Sequence, residues 1–252
     1  MELTFDQKRQ MIEKGFVHIP GVVPRIMVDA ALKAINHSIG EGMDKTDMRT
    51  MRSQSYAPEL RNDPAILGLL NATPAWSLAE SAVGQGQLQP VHGGQIAVRF
   101  PVFQDPPSAP GPHLDGMHTP DNGVPFGKIM NFTLLAAVFL SDVLTPYAGN
   151  FTVWPGTHHT YERYFREHSP KALLDGMPEV PLPEPHQVLA RAGDLVLCHY
   201  QIGHTACVNV SPHPRYAIFF RLSHVNHENI REEAMTDIWL EWEGIKSVME
   251  TA

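Results

Sequence analysis

The sequence predicts a mainly β protein with flanking helices, built on a double-stranded β-helix of the jelly-roll, cupin-like type. From residue 88 onward, seven short apolar runs of β type alternate with turn signals, a spacing typical of a sandwich or barrel. Before residue 85 the apolar residues instead recur at helical spacing, and another helical pattern closes the chain. We therefore expect two antiparallel sheets with helices at both ends of the chain.

We expect one domain over residues 1–252. Its parts would be a mostly helical buttress (1–85), a jelly-roll core (86–226) and a C-terminal helix (227–252). A first short strand is expected in FVHIP, near the amino end. The strands of the core are expected in QIAVRF, MNFTLLAAVFL, NFTVW, HQVLAR, DLVLCHY, TACVNV and RYAIFFRLSHV.

The helices have start and stop signals of their own. Thr4 and Gln7 have capping-box spacing, and Gly15 is placed to end the first helix. Pro24 opens a second helix, because proline is favoured in a first turn. One side of that helix should be formed by Ile26, Val28, Ala31, Leu32 and Ile35. Further helices are expected in PAILGLL, PAWSLAESAVG, YERYFREHSPKALLDG and NIREEAMTDIWLEWEGIKSVME.

The composition is that of a globular protein with a sizeable core, since 43% of the 252 residues are hydrophobic and 18% are charged. The net charge is −8 and the sequence has no Lys/Arg cluster, so we expect neither a nucleic-acid nor a membrane partner. A small-molecule substrate is the better expectation.

Features that bear on location favour the cytoplasm. Cys198 and Cys207 are too few for a disulfide framework and form no Cys-x-x-Cys pair, which is typical of a reducing compartment. No apolar run approaches the roughly 18 residues that a membrane span needs. The charged amino-terminal residues do not resemble a secretion signal.

The stretch APGPHLDGMHTPDNG contains a candidate metal pair, His113 and Asp115. The His-x-Asp spacing alone is weak, because about 1.5 His-x-Asp/Glu matches are expected by chance from this composition. Residues at i and i+2 point to the same side of an extended chain, so both side chains can reach one ion. A third ligand must then come from a distant segment.

The best source of that ligand is GDLVLCHYQIGHTACVNVSPHPRYAIFFRL. His199 and His204 compete, and His204 is favoured because it follows Gly203 at the start of a strand whereas His199 lies within an apolar run. Two histidines and one carboxylate form the facial triad of non-haem Fe(II) oxygenases. The next strand opens with Arg215, a cation that could lie beside the metal, and Arg221 is a weaker candidate for that cation.

These segments together resemble the phytanoyl-CoA dioxygenase-like family of Fe(II)/2-oxoglutarate-dependent oxygenases. The resemblance rests on GFVHIPGVV, HLDGMH, VFLSDVLTPYAGNFTVWPGTHH, GDLVLCHYQIGHTA and RYAIFF in this order. It implies that His113, Asp115 and His204 hold iron and that Arg215 binds the distal carboxylate of 2-oxoglutarate. An arginine suits that purpose, since its planar fork matches a carboxylate.

Further cosubstrate contacts are expected from Gln95, Arg99, Asn131 and Thr133, which have suitable positions and strand parity. His118 could face the substrate from its loop, or be a hydrogen-bonded structural histidine. The loops at 101–128 and 155–176 are the expected substrate walls.

The resemblance implies an enzyme that uses Fe(II), 2-oxoglutarate and O2 and releases succinate and carbon dioxide. Asp115 favours hydroxylation over halogenation, because related halogenases have Ala or Gly there and so leave a position for chloride. Desaturation and ring formation stay open, and the substrate would be a small metabolite.

Two alternatives need no 2-oxoglutarate: a cupin-type metal protein and a non-catalytic ligand-binding jelly roll. A cupin would recruit a further ligand near its first histidine, and here only His118 could supply it. Arg215 favours the 2-oxoglutarate-dependent enzyme over these two alternatives, because an anchoring cation has no necessary purpose without a dicarboxylate cosubstrate. The histidines of WPGTHH, His158 and His159, are expected to be structural.

Overall fold

The first helix confirms the predicted start and stop signals. The computed structural model describes residues 1–44 and 46–249. Helix α1 (Phe5–Lys14) begins at Thr4, whose side chain and that of Gln7 form both bonds of the capping box. It ends at Gly15 in the left-handed region, with φ 78°.

The second helix, α2 (Arg25–Gly40), follows Pro24 as expected. It buries Val28, Ala31 and Ile35, but the prediction that Ile26 belongs to the same face is wrong. Ile26 is 79% exposed, because at about 100° per residue it lies on the face of the helix opposite Val28 and Ile35.

Three more α-helices and a 3-10 helix (Pro58–Leu60) follow before residue 85: the α-helices are α3 (Met48–Ser53), α4 (Pro64–Asn71) and α5 (Pro74–Val83). Asp63 and Thr73 cap α4 and α5, each accepting a bond from a backbone N–H in the first turn. The sequence MRTMRS of α3 is short and has only two apolar residues, Met48 and Met51, which is why this helix was not predicted.

Every predicted β run contains a strand. In chain order the strands are β1 (Phe16–Ile19), β2 (Gln95–Arg99), β3 (Leu134–Phe139), β4 (Phe151–Val153), β5 (His186–Gln187), β6 (Leu195–His199), β7 (His204–Ala206) and β8 (Arg215–Leu222). They form a five-stranded sheet, β1-β6-β3-β8-β2, and a three-stranded sheet, β5-β4-β7. All pairings are antiparallel.

The two sheets face each other across an apolar core, which confirms the predicted jelly roll. Phe151 of β4 contacts Phe219 of β8, with ring centroids 5.4 Å apart. Alternate residues of β8 point the other way: Ile218 and Phe220 pack with the helices outside the large sheet. The alternation is the period of two that a strand imposes, and it places Arg215, Ala217 and Phe219 on the inner face.

The carboxyl-terminal segments differ from the prediction. The inserted run forms α6 (Thr157–His168) and a 3-10 helix (Pro170–Asp175). The single helix predicted over 227–252 is wrong for its described part, which forms α7 (His227–Ile230), α8 (Glu233–Thr236) and α9 (Glu243–Met249). Residues 250–252 lie outside the described residues.

The break in this segment has a tertiary cause. His199 of β6 stacks on Trp242 at 5.0 Å, and its Nε2 bonds the carbonyl of Ile238 at 2.8 Å. Gln201 donates its side-chain amide to the carbonyl of Met235. Because these carbonyls bond to side chains of the sheet, the chain follows the sheet surface rather than continuing a regular helix. In the described part of the chain, no helix has the length and apolar character needed to cross a membrane.

Candidate metal centre

Three predicted ligands converge at one end of the sandwich. One ligand atom each from His113, Asp115 and His204 lies within 4.8 Å of the other two. Nε2 of His113 is 3.6 Å from Oδ1 of Asp115, and Nε2 of His204 is 3.9 Å from Oδ2 of the same carboxylate. The arrangement brings two imidazole nitrogens and one carboxylate together, as the sequence predicted.

Backbone hydrogen bonds join the two histidine segments. The N–H of His113 donates to the carbonyl of His204 at 3.0 Å, and the N–H of His204 donates back at 3.1 Å. This isolated antiparallel bridge attaches a loop that is rich in Gly and Pro to the first residue of β7. The positions of the ligands are therefore set by backbone pairing as well as by side-chain packing.

The tautomer of His204 is set by its own chain. Its Nδ1 is 3.1 Å from the carbonyl of Ile202, so the ring donates there and leaves Nε2 free as an electron-pair donor. Burial, followed by the nearby charge of His113, lowers the pKa of His204 to about 4. The ring is neutral at pH 7, which is the form that binds a metal ion.

Asp115 is held by a guanidinium. Nε of Arg221 donates to Oδ2 of Asp115 at 3.0 Å, and Nη2 forms an ion pair with the same oxygen at 2.9 Å, while Nη1 donates to Oε1 of Gln95 at 2.8 Å. Burial by itself raises the pKa of Asp115, but the charge of Arg221 and the hydrogen bond from His113 outweigh it and hold the pKa well below its usual range. Arg221 thus binds the carboxylate ligand, and Oδ1 is left on the side of His113.

Arg215 has the environment expected of an anion anchor. Its side chain is fully buried, and it donates from Nε to Gly149 at 2.8 Å and from Nη1 to Ala97 at 3.1 Å. The third nitrogen, Nη2, is buried with no hydrogen-bond partner among residues 1–44 and 46–249. Burial, followed by the charge of Arg99, lowers the pKa of Arg215 to about 9, so it stays charged at pH 7.

Arg99 lies directly opposite Arg215, where β2 pairs with β8. Like charges at opposite positions of neighbouring strands are destabilising, and within the described chain neither guanidinium has a carboxylate within 4.0 Å. Gly149, at φ 74°, makes room for this pair: a Cβ there would lie 2.9 Å from Cβ of Arg99. Such a pair of cations, one buried and one half-buried, fits a bound anion.

A cavity of about 260 Å3 connects these groups. It is lined by all three candidate ligands, by Gln95 and Arg99 of β2, and by Arg215. The alternation along β2 accounts for the positions of Gln95 and Arg99, because both share the inner face with Ala97. The structure therefore brings together six of the nine predicted site residues.

Asn131 and Thr133 lie outside this cavity, so the expectation that they contact the cosubstrate finds no support in the geometry. Thr133 donates to Oε2 of Glu241 at 2.7 Å, and Asn131 donates to the carbonyl of Arg231 at 2.9 Å. Both residues precede β3, so the alternation of side chains along a strand does not predict which way they point. The carboxyl-terminal segment supplies their hydrogen-bond partners.

His118 also points elsewhere. Its Nδ1 lies 2.6 Å from the carbonyl of Val124, and its ring contacts Phe126, in keeping with the structural role that the sequence left open. His158 and His159 each bond the carbonyl of Ile12, at 3.0 and 2.8 Å, and do not join the candidate ligands.

Sequence reasoning missed Arg52 of α3, which also lines the cavity. A short polar helix has no pattern that indicates where its side chains point. Thr119 and Asn122, from the loop after the metal pair, line the cavity as well. Their loop had been expected to form a substrate wall.

Solved structures share this fold. The chain is similar to the non-heme alpha ketoglutarate dependent carbocyclase SnoK from nogalamycin biosynthesis, with a TM-score of 0.54 and 22% identity over 87% of this chain and 83% of that one. HygX from Streptomyces hygroscopicus, with nickel and 2-oxoglutarate bound, gives 0.58 and 20% identity over 88% of each chain. EctD from S. alaskensis, with 2-oxoglutarate and 5-hydroxyectoine, gives 0.58 and 14% identity over 89% of this chain and 77% of that one.

At the level of sequence, a comparison with curated proteins finds no match. The sequence model of the family described as Phytanoyl-CoA dioxygenase (PhyH) matches residues 11–217. The matched span contains the three candidate ligands and Arg215, together with strands β1 to β7. The chain therefore belongs to the phytanoyl-CoA dioxygenase family.

Proposed function

We propose that this protein is an Fe(II)- and 2-oxoglutarate-dependent dioxygenase that hydroxylates a small-molecule metabolite, with release of succinate and carbon dioxide. One observation carries the proposal: buried Arg215, whose Nη2 has no hydrogen-bond partner among the described residues, lines the same cavity as the His113, Asp115 and His204 cluster. A metal-binding jelly roll without a dicarboxylate cosubstrate has no use for a buried guanidinium of this kind.

The donor set fits iron. Two imidazole nitrogens and one carboxylate oxygen form a facial triad, which leaves positions open for cosubstrate and oxygen. When bound, iron with 2-oxoglutarate and dioxygen supplies the oxidising chemistry, in which 2-oxoglutarate becomes succinate and carbon dioxide. His204 contributes a neutral ring with Nε2 free. His113 and Asp115 complete the set from the loop bridged to β7.

The residues around the triad have distinct tasks. Arg215 binds the distal carboxylate of 2-oxoglutarate through a charge-assisted bond, for which its unpartnered Nη2 is the available donor. Arg99 and Gln95 line the same cavity and add polar contacts. Arg221 holds Oδ2 of Asp115, so Oδ1 is the carboxylate oxygen that would be available to a metal ion.

Hydroxylation is favoured because Asp115 fills the position where a halogenase leaves room for chloride. Apolar side chains of Leu135, Phe151 and Phe219 line the cavity and restrict water near the reacting atoms. HygX and EctD, which share the fold, were crystallised with 2-oxoglutarate, and this supports the cosubstrate assignment. We further propose that the chain works as one domain in the cytoplasm, which suits its two free cysteines.

Succinate formation tests the proposal. Protein supplied with Fe(II), 2-oxoglutarate and oxygen should form succinate, at a higher rate when a pool of small metabolites contains the substrate. His113→Ala should lower this rate at least about a hundredfold, because one of three ligands is lost. The matched control His92→Ala, an exposed histidine outside the cavity, should keep the wild-type rate. Equal rates in the two variants would remove His113 from the metal site.

A further inference from the structure

A second cavity, of about 410 Å3, adjoins the cavity that contains the metal ligands. The two share four lining residues, Arg52, Arg99, Thr205 and Ala206. The other walls of the second cavity come from the loop after β2 and from the chain after β7. A molecule that reaches the metal ligands can therefore extend past Arg99 into the second cavity.

Both cavities are strongly positive for a protein whose net charge is −8. Four arginines and one aspartate line the first, an excess of three positive charges, and two of the same arginines, Arg52 and Arg99, line the second with no acidic residue. Fe(II) and 2-oxoglutarate have equal and opposite charges, so binding both would leave this excess in place. A local positive field in an acidic protein attracts anions to the site.

Arg52 and Arg99 lack the acidic partners that other arginines have. On the same helix as Arg52, Arg49 pairs with Asp121 at 2.7 Å, and on α2 Arg25 pairs with Asp29 at 2.7 Å. Within residues 1–44 and 46–249, no carboxylate lies within 4.0 Å of Arg52 or Arg99. Both residues line both cavities, and burial, followed by the charge of Arg52, lowers the pKa of Arg99.

We propose that the second cavity binds an oxyanion group of the substrate, a carboxylate or a phosphate, between Arg52 and Arg99. The reacting carbon would then lie in the first cavity, beside the metal ligands. Guanidinium forks match the oxygens of both groups, and the side chains of Gln104 and Ser108 add uncharged polar groups to the same wall. This inference rests on the proposed function and narrows its substrate to an anionic small molecule.

Binding of simple anions to the loaded protein tests the inference. Protein saturated with Ni(II), which replaces iron without turnover, and with 2-oxoglutarate is titrated calorimetrically with inorganic phosphate or acetate at constant ionic strength. Because Arg215 is then occupied, saturable binding should reflect the second cavity. Phosphate binding alone indicates a phosphate-bearing substrate, whereas comparable acetate binding indicates a carboxylate.

Two variants distinguish anion binding at this subsite from attraction by the general surface charge. Arg52→Gln should weaken anion binding roughly tenfold, the effect of losing one charge-assisted bond. Arg49→Gln, which removes the same charge from the same helix outside both cavities, should bind as the wild type does. Wild-type affinity in Arg52→Gln, or no saturable binding of either anion to the wild type, would overturn the inference.

The 2-oxoglutarate titration that precedes each experiment keeps the two proposals separate. If phosphate binds through Arg52 but 2-oxoglutarate does not bind to the Ni(II) protein, the proposed function fails and the anion subsite stands. If 2-oxoglutarate binds but neither anion does, the subsite fails and the proposed function stands.

Discussion

Of two groups of neighbouring histidines in this protein, one is a candidate metal site and the other is structural. His113 and His204 face one carboxylate at the edge of a cavity, with ring centroids 4.5 Å apart. His158, His159 and His199 also lie close together, with centroids of neighbouring rings 4.0 and 5.5 Å apart. This second group, the structural histidine cluster, contacts indole rings and backbone carbonyls and has no carboxylate ligand among the described residues.

The comparison shows that proximity of histidines does not make a metal site. In the structural histidine cluster, ring nitrogens of His158 and His159 both bond the carbonyl of Ile12, and His199 bonds Ile238 and the N–H of Gln201. Those nitrogens hold the amino- and carboxyl-terminal segments against the sheet. At the candidate metal centre, one nitrogen of His204 is bonded to backbone and the other is free beside Asp115.

The largest expected effect that separates the two groups is on stability. His199→Ala removes the stacking on Trp242 and leaves the carbonyl of Ile238 without its partner. We expect the free energy of unfolding to fall by about 3 kcal/mol. Urea denaturation measures this loss, and Ni(II) affinity of the folded variant should match the wild type. In His113→Ala we expect the opposite result: the Ni(II) affinity should fall and the free energy of unfolding should match the wild type. A variant that loses both stability and Ni(II) affinity would contradict the division of these histidines into two groups.

Acid should destabilise the protein through the same cluster. Burial lowers the pKa of His199 to about 4, so the folded state keeps this ring neutral while the unfolded state takes up a proton below about pH 6.5. The contribution of the neutral His199 ring to the free energy of unfolding is fully present above the pKa of the ring in the unfolded state, and it is lost as the pH falls from there toward the pKa of the folded state. It amounts to about 2 kcal/mol between pH 7.5 and pH 5. Urea denaturation at both pH values, compared with His199→Phe, measures it, and an unchanged pH dependence in that variant would contradict this account.

A smaller effect is expected from Arg221, which acts through Asp115. Arg221→Gln should lower the affinity for Ni(II) roughly tenfold, because loss of a partner that orients a ligand costs about that much. The metal-free protein should also lose stability, because the buried carboxylate of Asp115 loses the guanidinium whose charge offsets its burial. If Co(II) absorption shows the same coordination in Arg221→Gln and in the wild type, at equal affinity, Arg221 does not position the ligand.

The regular parts of the chain account for what the sequence could predict. Strand alternation placed Gln95 and Arg99 on the inner face, and the pairing of β2 with β8 put Arg99 opposite Arg215. The capping box and the apolar runs predicted helices and strands from local chemistry alone. These features depend on residues that are neighbours in sequence, or on the fixed geometry of a sheet.

The predictions from sequence were less successful where partners distant in the chain determine the direction of a side chain or the path of the backbone. Asn131 and Thr133 have plausible positions, but their bonds go to the carboxyl-terminal segment. Trp239 and Trp242 have near-helical spacing, yet both pack on His199 and the segment bends around them. Arg52 was missed because nothing in MRTMRS indicates which side faces a cavity.

The most direct test of the account is an anaerobic titration of the Fe(II)-loaded protein with 2-oxoglutarate, followed by visible absorption. We expect saturable growth of a charge-transfer band, because the candidate ligands His113, Asp115 and His204 line the same cavity as Arg215. In Arg215→Gln the midpoint should rise about tenfold or more, through loss of the charge-assisted bond. Absence of the band in the wild type, or an unchanged midpoint in Arg215→Gln, would contradict the central claim.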